Sequence, residues 1–455
     1  MRRMFLIACA TIAFTGCTVG PNYKRPTAPA PPPQFRGGEA QPTPASLADT
    51  KWFDLFQDDV LRSLIKEALA ANYDIRVAAQ RILEAEGQLS VTRSFLWPQF
   101  GVQASAGRSG TKSPVQSNAG AFGVASWELD LFGKLRRASE AARADLLAQE
   151  ETQKAIMQSL VAQMATAYFA LREIDAELVY VRDSIKTRTE SLRLVTARQQ
   201  GGVATMLDVD QSKTLIDTAK ANLALLEKAQ EQTENLINFL IGKQPGPVAR
   251  GKALTEQPQP PLVPAGLPSA LLDRRPDLRI AEQQLIAANA RVGVAKAAFF
   301  PSINLTAAGG YQSTDLVGVL GRTGAAYSMS GVIDLPIFDA GRRSGNYKTA
   351  KAVHQELLIS YEKAIQGAFR DVSDALVGYQ KTREYSASQK ELVTTLRHQS
   401  DLSNLRYRGG VTSYLEVLDT ERQRLTAEQQ LAQAQRDELT ALVQLYSALG
   451  GGWQQ

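Results

Sequence analysis

Asn72-Tyr73-Asp74-Ile75-Arg76 returns as Arg275-Pro276-Asp277-Leu278-Arg279, 203 residues further along the chain. Trp97-Pro98 returns as Phe300-Pro301 at the same offset, and Leu129-Asp130-Leu131 returns as Ile333-Asp334-Leu335 at 204. Gly201-Gly202-Val203 matches Gly409-Gly410-Val411, and Leu240-Ile241-Gly242 matches Ala448-Leu449-Gly450, both at 208. Small loop insertions account for the drift. A unit this long is no short solenoid repeat but a duplicated half-structure, and two like halves in one chain point to pseudo-symmetry about a shared axis.

Each copy carries two kinds of periodicity. Ile303, Leu305, Ala307, Gly309 and Tyr311 alternate with polar or small neighbours, as do Tyr327, Met329, Gly331, Ile333 and Leu335. In the first copy Phe100, Val102, Ala104 and Ala106 do the same, followed by Ala125, Trp127, Leu129 and Leu131. One apolar and one polar face is what lipid outside and water inside demand of a strand, and also what a soluble antiparallel sheet with one wet face shows. Phe95, Trp97, Phe100, Trp127, Phe132, Phe299, Phe300 and Phe338 gather near the strand ends as an interfacial aromatic girdle would.

The rest is helical. Leu160, Met164, Ala167, Leu171, Ile174, Leu178, Val181 and Ile185 advance by steps of four and three, a coiled-coil seam. Ile365, Phe369, Val372, Leu376 and Tyr379 repeat it in the second copy. No proline interrupts 134–199, and those 66 residues as one helix would reach ~100 Å. That length suits a protein that crosses a wide compartment.

The expected organisation is a signal peptide at 1–16, a proline-rich tether at 17–50, repeat 1 at 51–242 and a proline-rich linker or packed belt at 243–271. Repeat 2 follows at 272–449 and a short tail at 450–455. Strands are expected within 98–131 and 301–336, and helical hairpins within 134–242 and 340–449. Arg2 and Arg3 precede an apolar stretch, Met4 to Phe14, that is too short to span a bilayer. It ends in Phe14-Thr15-Gly16-Cys17, which resembles a bacterial lipoprotein box, so a covalent lipid on Cys17 is expected; an ordinary signal peptide cut elsewhere is the alternative. Cys9 is lost on cleavage, which leaves one cysteine and no intrachain disulfide.

A net charge of +5 with dispersed basic residues argues against nucleic-acid binding. The two histidines, His354 and His398, have no ligand-like neighbours, and no nucleophile or phosphate-cradling motif occurs, so neither a metal, a cofactor nor an enzyme activity is expected. A membrane span made of strands must close, because open edges are not tolerated in hydrocarbon. Four strands cannot enclose a channel; two chains would give eight and three would give twelve with room for a pore.

Cys17-Thr18-Val19-Gly20-Pro21-Asn22-Tyr23-Lys24-Arg25-Pro26, Arg274-Arg275-Pro276-Asp277, Phe300-Pro301 and the run Arg406-Tyr407-Arg408-Gly409-Gly410-Val411-Thr412-Ser413-Tyr414-Leu415-Glu416-Val417-Leu418-Asp419 carry a family likeness. The chain resembles the lipidated outer membrane factors of Gram-negative efflux systems, the OprM/NodT-like relatives of TolC. The resemblance implies a mainly helical homotrimer with a twelve-stranded transmembrane barrel in the outer membrane and a periplasmic helical tunnel. It also implies a periplasmic adaptor, an inner membrane pump and outer membrane lipid as partners. Gly201, Gly202, Val203, Gly409, Gly410 and Val411 become the tips where the adaptor docks. Leu415 becomes an apolar constriction, with Glu416 and Asp419 lining the pore. Asp208 and Tyr407 match the family's carboxylate–phenol clasp, while Thr412 stands where one family pattern has an arginine, so a second clasp is absent. The function implied is passive conduction of small toxic compounds or drugs to the exterior. The alternatives are an exit duct for a secreted protein or peptide, and a trimeric coiled-coil adhesin or spacer.

Overall fold

The computed structural model describes residues 18–27, 35–36, 46–110, 116–257, 270–314, 316–321 and 324–453. The signal peptide and Cys17 lie outside the described residues, as do 258–269 of the proline-rich linker. The helices are α1 (Trp52–Leu55), α2 (Asp59–Ala71), α3 (Tyr73–Ser94), α4 (Lys134–Gln200), α5 (Met206–Leu240), α6 (Leu271–Arg274), α7 (Pro276–Ala297), α8 (Leu316–Leu320), α9 (Arg342–Arg408) and α10 (Tyr414–Ala448). The strands are β1 (Gln99–Ser109), β2 (Gln116–Leu129), β3 (Ser302–Ser313) and β4 (Ala325–Asp334).

The duplication holds to the residue in three pairs of helices. α3 and α7 are each 22 residues long, α4 and α9 are 67, and α5 and α10 are 35. α3 and α7, which precede the strands, carry no clean amphipathic stripe, so periodicity alone does not announce them as helices.

The chain divides into two compact units. Of the described residues, the first contains 18–27, 79–110, 116–152, 277–314, 316–321 and 324–364. Its centre is one antiparallel sheet in the order β1-β2-β3-β4, so the two hairpins join through β2 and β3. The register keeps the alternation in phase across all four strands: Phe100 faces Ala125, Ala125 faces Ala307, and Ala307 faces Met329. The opposite face aligns Gln99, Ser126, Thr306 and Ser330. β1 and β4 are the sheet's edges.

The ladders correct one sequence alignment. Gln99 pairs with Ser126, and Ser302, its equivalent at 203, pairs with Asp334. By ladder position the offset is therefore already 208 in the second strand of each hairpin, not the 204 at which the Leu-Asp-Leu and Ile-Asp-Leu triplets match. The whole drift sits in the hairpin connection, which in the second copy includes α8.

Residues 18–25 lie against α4 and α7 in the same unit. The Val19 amide donates to the Phe132 carbonyl (3.0 Å), Asn289 donates to the Pro21 carbonyl (3.0 Å), and the Arg25 guanidinium meets Glu282 at 2.7 Å. Phe132 stacks on Phe300 with centroids 4.8 Å apart.

Of the described residues, the second unit contains 35–36, 46–78, 153–257, 270–276 and 365–453. Asp58 caps α2 by accepting the amides of Val60 (2.9 Å) and Leu61 (3.2 Å), and Leu61, Leu64, Ile65 and Ala68 then fall on one buried face. The same carboxylate accepts Tyr168 Oη (2.9 Å), the Lys252 amide (2.8 Å) and Gln257 Nε2 (3.0 Å). Gly251 beside it donates its amide to Tyr168 Oη at 2.9 Å. A Cβ on Gly251 would lie 2.1 Å from Asp58 Oδ1, so only glycine permits this approach. Arg250 binds Asp175 and Glu234. The described part of the proline-rich linker is thus packed on α2, α4 and α5 as a belt.

Both copies end their returning helix in one way. Asn72 Nδ2 donates to the Leu240 carbonyl (3.0 Å), and Arg275 Nη1, its equivalent, donates to the Ala448 carbonyl (3.1 Å). Different side chains fill one role, quenching a carbonyl that a helix end leaves unpaired.

Candidate functional site

The paired turns α4–α5 and α9–α10 both lie in the second unit. At the first, the Val203 amide donates to the Arg198 carbonyl (2.9 Å) and the Gly202 amide to the Gln199 carbonyl (3.0 Å). At the second, Val411 donates to Arg406 (3.0 Å) and Gly410 to Tyr407 (3.0 Å). These are matched Schellman closures, and Gly202 and Gly410 supply the left-handed residue at φ +74 and +75.

The closure turns the next side chain outward. Val203 is 79% exposed and Val411 71%, with Met206, Leu207 and Leu405 exposed nearby. Each tip thus presents apolar surface beside a glycine pair.

Below the tips the two hairpins interlock. Val195, Tyr407, Tyr414 and Val417 form a buried cluster, with Val209 and Leu418 against it. The Arg198 guanidinium lies 4.4 Å from the centre of the Tyr407 ring and donates to the carbonyls of Tyr407 and Arg408 at 3.3 Å. Tyr414 Oη donates to Ser212 Oγ at 3.0 Å. Burial pushes the Tyr414 phenol up, so it stays a donor across the ordinary pH range.

Several expected site residues are engaged differently from the family pattern. Asp208 does not bond Tyr407 within this chain: its carboxylate accepts the Thr205 amide and hydroxyl, both at 2.8 Å, in a capping box that starts α5. Tyr407 is instead held by Arg198 and by Tyr414, whose ring centroid is 5.2 Å away.

Ser413 and Glu416 occupy the equivalent box positions of α10, yet Ser413 makes no side-chain cap. Glu416 binds the Thr412 hydroxyl and lies 3.6 Å from Arg406. Thr412 thus acts on Glu416 where the family pattern has an arginine. Asp419 is taken by Arg422 (3.0 Å) and Gln423 (2.5 Å). Leu415 is 65% exposed on the first turn of α10.

Sequence reasoning missed Arg198 and the Tyr414–Ser212 bond. Arg198 could have been found, since an arginine stands three residues before both glycine pairs, Arg198 and Arg406. The two act unequally: Arg198 reaches across to the other hairpin, while Arg406 stays with its own. Among the described residues no group of three or more His, Cys, Asp or Glu is placed to hold a metal, and no helix is long and apolar enough to cross a membrane.

Comparison with known proteins adds to this geometry. The profile of the family described as outer membrane efflux protein matches residues 64–243 and 267–451. The chain is 36% identical over 457 residues to the solvent efflux pump outer membrane protein SrpC of Pseudomonas putida, covering 98% of this chain and 97% of that one. It is 33% identical over 453 residues to the cation efflux system protein CusC of Escherichia coli, covering 98% of each. Among solved structures, the open state of the Neisseria gonorrhoeae MtrE outer membrane channel superposes with a TM-score of 0.87 at 33% identity, over 96% of this chain and 99% of that one.

Proposed function

Because this chain belongs to the outer membrane efflux protein family, we propose that three copies close one duct through which small toxic compounds leave the cell. The protein is an outer membrane component of efflux. A periplasmic adaptor meets the Val203 and Val411 tips, an inner membrane pump supplies the driving force, and a lipid on Cys17 holds the chain to the membrane. The chain performs transport, not chemistry, and needs no cofactor.

The observation that supports trimeric closure is the pair of free sheet edges. β1 and β4 carry exposed Phe100, Val102, Met329 and Ile333 on the face shared by the whole sheet. In hydrocarbon, edges of this kind are satisfied only by pairing.

The duplication supports a definite register for that pairing. If β4 meets β1 of a neighbouring copy as β2 meets β3, the Ala125–Ala307 pair becomes Ile333 opposite Ala104 of the neighbour. Chains with Ile333→Cys and Ala104→Cys are expected to form disulfide-linked oligomers in membranes, whereas Ile333→Cys with Ala106→Cys is not. Crosslinking by the second pair alone, or by neither, would overturn the register. Planar-bilayer recording of the purified protein separates a duct from a trimeric spacer, which conducts nothing.

At the tip, Leu415 narrows the duct and Glu416 and Asp419 line it. The resting closure rests on Arg198 and on Tyr414–Ser212, with Asp208 keeping the first turn rigid. Three copies place six carboxylates near one axis, which favours cations and binds divalent ions. Glu416→Ala with Asp419→Ala is expected to lower the cation-to-anion permeability ratio and abolish divalent block; unchanged selectivity would remove both residues from the pore lining.

A further inference from the structure

The contact between α4 and α10 carries acids where a coiled-coil seam ordinarily carries apolar residues. Glu173 and Glu177 sit one helical turn apart on α4 and are only 8% and 5% exposed. Arg436 of α10 lies 3.3 Å from Glu173. Gln433 and Gln429 of α10 donate to Glu177 at 3.0 and 3.5 Å. The two carboxyls also meet each other.

One guanidinium therefore faces two buried acids, and two ionised carboxylates in one dry contact repel. Among the described residues, Arg436 is the one cation that acts on both members of the pair. Asp437 adds negative charge and shares Arg436. From α9, Arg397 reaches this level but is bound to Glu428 at 2.7 Å, with Tyr180 beside both. Arg383 of α9 faces Glu438 instead. On the other side of α4, Arg172 and Arg250 hold Asp175.

We propose that Glu173 and Glu177 share one proton at this contact, and that losing it loosens α10 from α4, so that the packing of the two helical hairpins follows the surrounding pH. Only the consequence for conduction rests on the channel reading; the helix contact is tested without it.

The sign follows from the carboxyl's position. Burial pushes Glu173 up to about 7 from its ordinary 4.5; the charge of Arg436 opposes this, and Glu177 and Asp437 add to it. Burial raises Glu177 as well, against its bonds from Gln433 and Gln429. The folded contact binds the proton more tightly than the unfolded chain does. Its contribution is therefore full below about pH 4.5, falls as pH rises towards 7, and is gone above that.

The test is the distance between spin labels on Thr189→Cys of α4 and Thr426→Cys of α10, in full-length protein diluted with unlabelled chain. A longer or broader distance is expected at pH 8 than at pH 6, with the parted-to-packed ratio changing by up to about tenfold per pH unit for one proton. Glu173→Gln with Glu177→Gln should give a pH-invariant distance. Arg436→Gln, which removes the opposing cation, should move the transition to higher pH and guards against a double variant that fails to fold. A parent whose distance ignores pH, or an Arg436→Gln transition at the parental pH, overturns the shared proton. A distance that responds while bilayer conductance does not would show that the contact is not coupled to the duct.

Discussion

Replacing Asp58 by alanine is expected to destabilise the protein by about 3–5 kcal/mol, measured as the shift in denaturant midpoint of the detergent-solubilised chain. One carboxylate accepts the amides of Val60, Leu61 and Lys252, the Tyr168 phenol and the Gln257 amide. Alanine leaves these donors facing a buried gap, and an orphaned donor costs its full desolvation. The series should be graded. Asn at 58 keeps an acceptor and loses less, and Tyr168→Phe removes one bond and strands the Gly251 amide, at a cost of roughly 1–2 kcal/mol. Burial alone would raise the Asp58 carboxyl, but the bonds from Gln257, Tyr168 and the backbone outweigh it and hold the group below its ordinary range. Its contribution is therefore present above about pH 4 and is lost as pH falls through the lowered value, the opposite direction to Glu173. A loss under about 1 kcal/mol for the alanine variant would show that the belt is held elsewhere.

The second large effect is at the tips. Val203→Glu with Val411→Glu is expected to reduce tolerance of exported compounds to that of a strain lacking the protein. Burying each valine against an adaptor is worth about 1.5 kcal/mol or more, so its loss alone weakens a contact roughly tenfold, and a carboxylate forced into an apolar contact costs further. Folding should be spared, because both side chains are exposed and the turns are closed by backbone amides. Adaptor crosslinking from the tips should fail in parallel, while the Ile333–Ala104 crosslink persists. A double variant that still binds and exports would move the docking surface off these turns.

What could be read in the chain was what lies close together in it. The heptad seam of α4 and the alternation in β1 to β4 are local periodicities, and the helix pairs ended where the glycines said they would. Hidden from that reading were partnerships between distant residues: Tyr168 lies 110 positions from Asp58, and Lys252 lies 194. The β2–β3 junction between repeats belongs to the same class. α3 and α7 were missed because their faces are mixed, so no stripe announces them. Asp208 is a different lesson. Thr205 three residues before it makes a capping box legible in the sequence, and that box engages the carboxylate which the family resemblance assigns to Tyr407. The local bond is the one formed in this chain.

The matched helices carry a further consequence. α4 and α9 are equal in length, and so are α5 and α10, which brings Arg198 level with Tyr407. Removing one heptad from α4 alone would draw its end back by ~10 Å and take Arg198 out of reach. The four helices thus work as two pairs of calipers set to one gap. Lengthening or shortening the tip becomes a single edit written in four places, and a change made in fewer leaves the ends out of step.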